Sequence, residues 1–354
     1  MIAGANILPL VKVRKFAIWQ DILKSLRVII KNLMICFDRI KMITSIKNME
    51  RFDESKFNAI VFDGTIRHHE YSQKKPCNLY IKINHEAEEV AIEFTSKISE
   101  LSFFDLISES TIYGCLSVIE DFVKFDDEVW DILDEFKVVR CDVTRDISFV
   151  DDIKKLKRYV LSNLKNYDKW KCAPYKGKGG FTLSNVVGTK GYKKRLSIYP
   201  KAHELKLERN RAFVEEVDNF DEGDSYVYDD HFRDIVRFEM NINTPKQVQK
   251  LLNIPDNRLS NVLSSSANPI LDVLNEALKE LDEKSSSVPC AWKEYKDILV
   301  LKDCDNNLGK VENKIRSLTS SNTSITRMMK PYRELHKWLK HESEPSFDLR
   351  KLVV

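Results

Sequence analysis

In Asp234-Ile-Val-Arg-Phe-Glu-Met-Asn-Ile-Asn-Thr-Pro245 the chain changes its period. From Val236 to Ile242 apolar and polar residues alternate, so Val236, Phe238 and Met240 share one face of a strand and Arg237, Glu239 and Asn241 the other. The alternation stops at Thr244-Pro245, an N-cap residue followed by proline at the first helical position, which predicts a helix through Leu252. A strand with one dry and one polar face that hands over to a helix implies an antiparallel sheet covered on one side.

Upstream, Phe136-Lys-Val-Val-Arg-Cys-Asp-Val-Thr144 and Lys194-Arg-Leu-Ser-Ile-Tyr199 alternate in the same way. Asn78 to Asn84 and Glu89 to Thr95 read as two more antiparallel strands, one hairpin, and Met34 to Met42 as another strand. Residues 108–136 read as mostly helical, and Asp151 to Leu164 has helical apolar spacing. Downstream, Pro269 to Leu281 and Met328 to Lys340 read as helices, punctuated by Ser264-Ser-Ser266 and Ser285-Ser-Ser287. The predicted fold class is α+β: an antiparallel sheet with flanking helices, followed by a smaller helical C-terminal region. Three segments are expected: a basic extension over 1–33, a sheet domain over 34–243 and a helical region over 244–354.

Of the 354 residues 43% are hydrophobic and 31% charged, enough to bury a large core and against disorder. The net charge of +3 decides nothing about nucleic acid, so charge placement must. Seven scattered cysteines, never spaced as CxxC, fit reduced thiols of a cytoplasmic protein better than a disulfide framework or a zinc site. No apolar run approaches the roughly 20 residues of a membrane-spanning helix, and no membrane role is expected. The first 33 residues hold six bases and one acid with apolar residues at helical spacing; no small-residue cleavage site supports a signal peptide, and Met34 is an alternative start.

The polar strand faces carry the chemistry. Asp142 shares a face with Arg140 and Thr144, Tyr199 with Ser197, and Glu239 with Arg237 and Asn241. If the three strands are neighbours, two carboxylates and a phenol converge. Two acids can hold Mg2+ or Mn2+ through oxygen, and such a cation polarises a phosphodiester and neutralises developing charge. A tyrosine hydroxyl can then attack phosphorus and conserve the bond as a phosphotyrosine. Lys201 is placed to stabilise the phenolate or the phosphate oxygens, with His203 and Glu204 as further ligand candidates. Pro200 removes a backbone donor, which predicts that Tyr199 lies at a strand end or a sheet edge open to DNA. A strand bearing one acid is also the ordinary description of a solvated sheet face, so the alternation alone is not specific.

The order of three motifs is more specific. Ser197-Ile-Tyr-Pro-Lys-Ala-His-Glu-Leu205 resembles the tyrosine motif, roughly Tyr-x-Lys-x-x-Glu-Leu, of the filamentous-phage gene II replication initiators. Val139-Arg-Cys-Asp-Val-Thr144 resembles that family's upstream Arg-x-Asp-x-Thr strand, and Val236-Arg-Phe-Glu-Met-Asn241 its downstream Arg-Phe-Glu strand, over roughly residues 34–255. The layout also resembles plasmid rolling-circle initiators. The resemblance implies Tyr199 as the nicking nucleophile with Lys201 beside it, and Asp142, Glu239 and Glu204 around a cation. Pro200 departs from the family pattern, where a small or polar residue is commoner, and no His-hydrophobic-His metal pair of other nicking enzymes is present. The adjacent His68 and His69 would point to opposite strand faces.

Residues 165–211 hold thirteen bases and three acids interleaved with Tyr167, Trp170, Tyr175, Phe181 and Tyr192, the composition of a phosphate-tracking surface with stacking partners for single-stranded DNA. Lys176, Lys178, Lys190, Lys193, Lys194 and Arg195 are its expected DNA contacts; a basic loop with core aromatics is the plainer alternative. Lys176-Gly-Lys-Gly-Gly180 lacks the spacing of a nucleotide-binding loop. Residues 215–230 carry eight acids and no base, a solvated run that would repel DNA. Site-specific nicking and rejoining at a replication origin is the leading functional expectation. A non-catalytic origin-binding protein and a recruiter of a host helicase through residues 244–354 are the competitors.

Overall fold

The alternating stretches find one another in a single sheet. The computed structural model describes residues 35–126, 132–166, 169–175, 179–186, 193–220, 231–279, 292–304, 307–340 and 349–353. The expected extension over 1–33 therefore lies outside the described residues. In chain order the strands are β1 (Phe37–Ser45), β2 (Met49–Phe52), β3 (Asn58–Phe62), β4 (Thr65–Gln73), β5 (Leu79–Asn84), β6 (Glu89–Thr95), β7 (Val123–Phe125), β8 (Lys137–Ser148), β9 (Trp170–Tyr175), β10 (Gly180–Asn185), β11 (Arg195–Pro200) and β12 (Ile235–Ile242). Ten of them form an antiparallel sheet ordered β3-β4-β5-β6-β1-β8-β12-β11-β10-β9, and β2 pairs with β7 apart from it. The fold is α+β, as the change of period implies.

One face of the sheet is dry. Ile40, Met42, Cys141, Val143, Leu196, Ile198, Phe238 and Met240 are buried in one cluster with residues of the helices at Ile112–Glu120, Ile153–Ser162, Pro245–Leu252 and Pro269–Ala277. Each such side chain taken from water contributes about 1.5–3 kcal/mol, which makes this face the main source of stability. The Pro245–Leu252 helix begins as its sequence dictates: the Thr244 hydroxyl accepts from the Gln247 amide, Pro245 occupies the first turn, and Asn253 closes the helix in the left-handed conformation at φ 51°. This helix and the two after it share the sheet's core. A separate cluster of Leu301, Cys304, Val311, Ile315, Ile325 and Met329 joins the helices Trp292–Asp303, Leu308–Leu318 and Asn322–Lys340, and Leu349 and Val353 return to the main core.

Three expectations need correction. Among the described residues of 108–136, helix covers Ile112–Glu120, and Val123 and Phe125, alternating around Lys124, form β7 rather than more helix. Residues 170–185, read as part of a basic surface, supply β9 and β10, whose alternation is masked by lysines and prolines. Because β9 and β10 continue the sheet beyond β11, Tyr199 lies at a strand end but not at an edge, with β12 on one side and β10 on the other. Six cysteines among the described residues are outside any disulfide, and no helix among those residues is long and apolar enough to cross a membrane.

Candidate active site

The three motif strands are neighbours, β8 against β12 and β12 against β11. The register sets Asp142 opposite Asn241, Glu239 opposite Ser197 and Tyr199 opposite Arg237. Tyr199 and Glu239 are thus diagonal neighbours on one face, a separation that a phenol can span. The Tyr199 hydroxyl donates to Glu239 Oε2 at 2.6 Å. The Asn241 amide donates to Asp142 Oδ1 at 2.7 Å and Glu239 Oε1 at 3.3 Å, tying the two acids together. Asp142 and Glu239 are therefore on the same side of the sheet, as their spacing implies.

This face opens into a pocket of about 440 Å³ lined by Asp142, Glu239, Lys201 and Glu204 among others. Its bases are Arg39, Lys74, Lys97, Arg140, Lys201 and Arg209, against the acids Asp38, Asp142, Glu204 and Glu239. Tyr199 is not in its wall. The ring is wholly enclosed, with Tyr175 packed edge-on at 5.8 Å, and Tyr175 and Glu239, which both contact it, line the pocket. Burial first, and then the Glu239 carboxylate, push the phenol well above its ordinary range, so at neutral pH it carries its proton. Gly180 makes this enclosure fit: a Cβ there would lie 2.0 Å from the Ile198 carbonyl oxygen and 2.6 Å from Tyr199 Cβ. The expectation of an open tyrosine is overturned, because the β9–β10 pair takes the place that an edge would have left to solvent.

Lys201 and Glu204 do not continue the strand. Pro200 ends β11 and the Lys201–Leu205 helix follows, putting the two side chains three residues apart on one turn. Lys201 Nζ donates to Glu204 Oε2 at 2.9 Å, and Asn210 donates to Glu204 Oε1 at 2.9 Å. Phe103, Leu205, Phe213 and Phe232 anchor this helix in a small cluster of their own. Glu204, expected as a third cation ligand, is committed to Lys201 and Asn210 rather than to the Asp142–Glu239 pair, and His203 is exposed beside Gly179.

Among the described residues no three His, Cys, Asp or Glu side chains gather as a metal site. Asp142 and Glu239 nonetheless offer hard oxygen atoms on one face. Mg2+ usually takes one or two carboxylates and completes its shell with water and substrate phosphate, so the pair fits Mg2+ or Mn2+ shared with a bound phosphodiester. Burial raises the Asp142 carboxyl, Arg39 opposes that rise, and the nearby Glu239 adds to it. A cation between the two acids would relieve that repulsion.

The alternation could not reveal several residues of the site. A register shift between Phe37 and Arg39 in β1 brings both Asp38 and Arg39 to the pocket, although neighbours in a regular strand face opposite ways. Arg39 donates through Nε and Nη2 to Asp142 Oδ2 at 2.9 and 2.8 Å. Arg237, wholly buried, donates twice to Asp146 and once to Asp38, each at 2.7 Å. Lys97, from the 3-10 segment after β6, is drawn down to about 8 by burial against the pull of Glu204 and bonds to Asn210.

Burial works against the Asp38 charge, but Arg237 and then Lys201 hold the group at about 2, below the ordinary 3.8. A folded value below the unfolded one contributes stability that is complete above about pH 4 and is lost as pH falls toward 2, on the order of 2 kcal/mol. The unfolding midpoint is expected to drop across that window, and Asp38→Asn to flatten the drop; a slope identical in both proteins would disprove it.

The expected DNA contacts divide. Lys176, Lys178 and Lys190 lie outside the described residues, as do Tyr167, Tyr192 and the part of the acidic run from 221 to 230. Lys193 is exposed, Lys194 is paired with Glu276, and the Arg195 guanidinium lies over the Tyr175 ring at 5.3 Å. Lys194 is thus engaged by a helix that folds back onto the sheet. Trp170 and Phe181 are core residues rather than stacking partners, leaving Tyr175 as the described aromatic at the pocket. His69 bonds to His85 at 2.8 Å and His68 pairs with Glu70, away from the site. The chain matches no known protein family and no curated protein.

Proposed function

We propose that this chain cuts and rejoins one strand of DNA at a replication origin of a phage or plasmid, starting rolling-circle synthesis in the cytoplasm of a bacterial host. One observation carries the reading: the Tyr199 hydroxyl donates at 2.6 Å to Glu239, beside Asp142, behind a pocket in which bases outnumber acids. As the phenol oxygen attacks phosphorus, its proton passes to Glu239, the bond from phosphorus to the 3′ oxygen breaks, and that oxygen takes a proton from water. The new bond between Tyr199 and phosphorus conserves the phosphodiester, and the freed 3′ hydroxyl primes synthesis. Reversal of the same steps reseals the strand. Mg2+ or Mn2+ held by Asp142 and Glu239 would neutralise charge on the non-bridging oxygens. Arg237, cross-strand from Tyr199, favours the developing phenolate, and Lys201 contributes positive charge at the pocket wall.

The full enclosure of Tyr199 favours a second reading, an origin-binding protein that holds DNA without cutting it. The two separate in one experiment. Purified protein incubated with single-stranded origin DNA and Mg2+ or Mn2+ should give a protein–DNA adduct that survives denaturant. Tight binding with intact DNA and no adduct would establish the second reading instead. Arg327, Lys330 and Arg333 are exposed on the Asn322–Lys340 helix, which supports docking of an acidic partner such as a helicase there.

A further inference from the structure

Two side-chain atoms among the described residues are buried without a hydrogen-bond partner, Thr95 Oγ1 and Arg140 Nε, and both belong to residues lining the pocket. Three acids of the pocket are engaged by other bases. Asp142 holds Arg39, Asp38 holds Arg237, and Glu204 holds Lys201. Arg140 lies two residues before Asp142 on β8, so it presents to the same face one pleat further along. Its cross-strand neighbour is another base, Lys41, which is itself paired with Glu93. Thr95 stands on β6 opposite Arg39. Enclosing a donor of a charged group without a protein acceptor costs stability that a ligand bringing the acceptor would recover.

The missing partner is an anion with several acceptor oxygens. A guanidinium suits phosphate because its planar fork matches two phosphate oxygens, and a threonine hydroxyl can donate to a third. Lys74, exposed at the pocket rim, adds charge without adding an acceptor. We infer that Arg140 and Thr95 form a subsite for a backbone phosphate of the bound single strand, neighbouring the phosphate that would be cut. The identity of the strand rests on the nicking reading; the binding of phosphate does not.

The test uses the full chain with metal chelated, so that no strand is cut. Binding of a short single-stranded oligonucleotide is followed by fluorescence anisotropy across salt concentrations for the unmodified protein, Arg140→Met and Thr95→Val. Arg140→Met is expected to weaken binding about tenfold and to reduce the log–log salt slope by about 0.7, the loss of one neutralised phosphate. Thr95→Val should weaken binding and leave the slope unchanged, since no charge is lost. The thermal midpoint of Arg140→Met without ligand should be no lower than that of the unmodified protein, and inorganic phosphate should raise the midpoint of the unmodified protein more than that of the variant. Unaltered affinity and slope in Arg140→Met, equal protection of both proteins by phosphate, or a lowered ligand-free midpoint would each overturn the subsite. A slope change in a protein that never forms a covalent adduct would retire the nicking reading and leave the subsite standing. An adduct without the slope change would do the reverse.

Discussion

Tyr199→Phe is expected to abolish the covalent protein–DNA adduct while leaving oligonucleotide affinity within about twofold, because on the nicking reading the hydroxyl is the attacking atom and no phosphate contact depends on it. The ring is retained, so the packing against Tyr175 survives. Glu239 loses one donor and keeps the Asn241 amide, for a stability loss of about 1–3 kcal/mol at most. Denaturing gels with end-labelled DNA read the adduct, and anisotropy reads binding. An adduct of undiminished yield would mean that another side chain is the nucleophile. Because Tyr199 is enclosed, the proposed attack also requires that the Tyr175 ring give way to the DNA. A base stacked where that ring now sits is the natural replacement, since Tyr175 already lines the pocket.

Arg237→Met is expected to produce the largest loss of stability among single substitutions at the site. The side chain is wholly buried and satisfies Asp146 through two bonds and Asp38 through one, all at 2.7 Å. Methionine fills most of the volume but takes from Asp146 and Asp38 the guanidinium that they share. Removing one partner of a buried ion pair costs about 3–5 kcal/mol, and the partial exposure of both acids places the expected loss near the lower figure. Chemical denaturation measures it. Adding Asp146→Asn to Arg237→Met should recover part of the loss, since one of the stranded charges is then gone. If Arg237→Met unfolds at the same denaturant concentration as the unmodified protein, the buried network is not what holds β12 to β8 and β1. Lysine should not substitute well, because a single ammonium cannot reproduce the fork that grips Asp146.

Much of this was legible in the order of residues. Val236 to Ile242 alternates cleanly because β12 is central, with one face against the core, and Thr244-Pro245 marks the helix start through chemistry that acts locally. The convergence of Asp142, Glu239 and Tyr199 also followed from face assignment once the three strands were taken as neighbours. What stayed hidden depends on partners distant in sequence. Asp38 and Arg39 reach the pocket together only because β1 shifts register there, and nothing in Phe37-Asp-Arg-Ile40 announces a bulge. Arg140 could be assigned to the polar face, but its lack of a partner depends on where Arg39 and Asn241 point. The enclosure of Tyr199 depends on β9 and β10, which lie in a stretch whose lysines and glycines resemble those of a surface loop and whose strand character comes from pairing of β10 with β11 and of β9 with β10.

The place of β1 in the sheet bears on how the protein is made. This strand, the first of those described, lies between β6 and β8, and β8 in turn waits for β12, the last of them to emerge. These pairings close loops of roughly fifty to a hundred residues, the kind of non-local contact that slows folding. A nascent chain that stops short of β12 lacks Glu239 and the strand that aligns Tyr199 with Asp142. On the nicking reading, synthesis thus withholds the assembled site until residue 242 of the 354 has been made, and a shorter product would lack the means to cut the DNA around it.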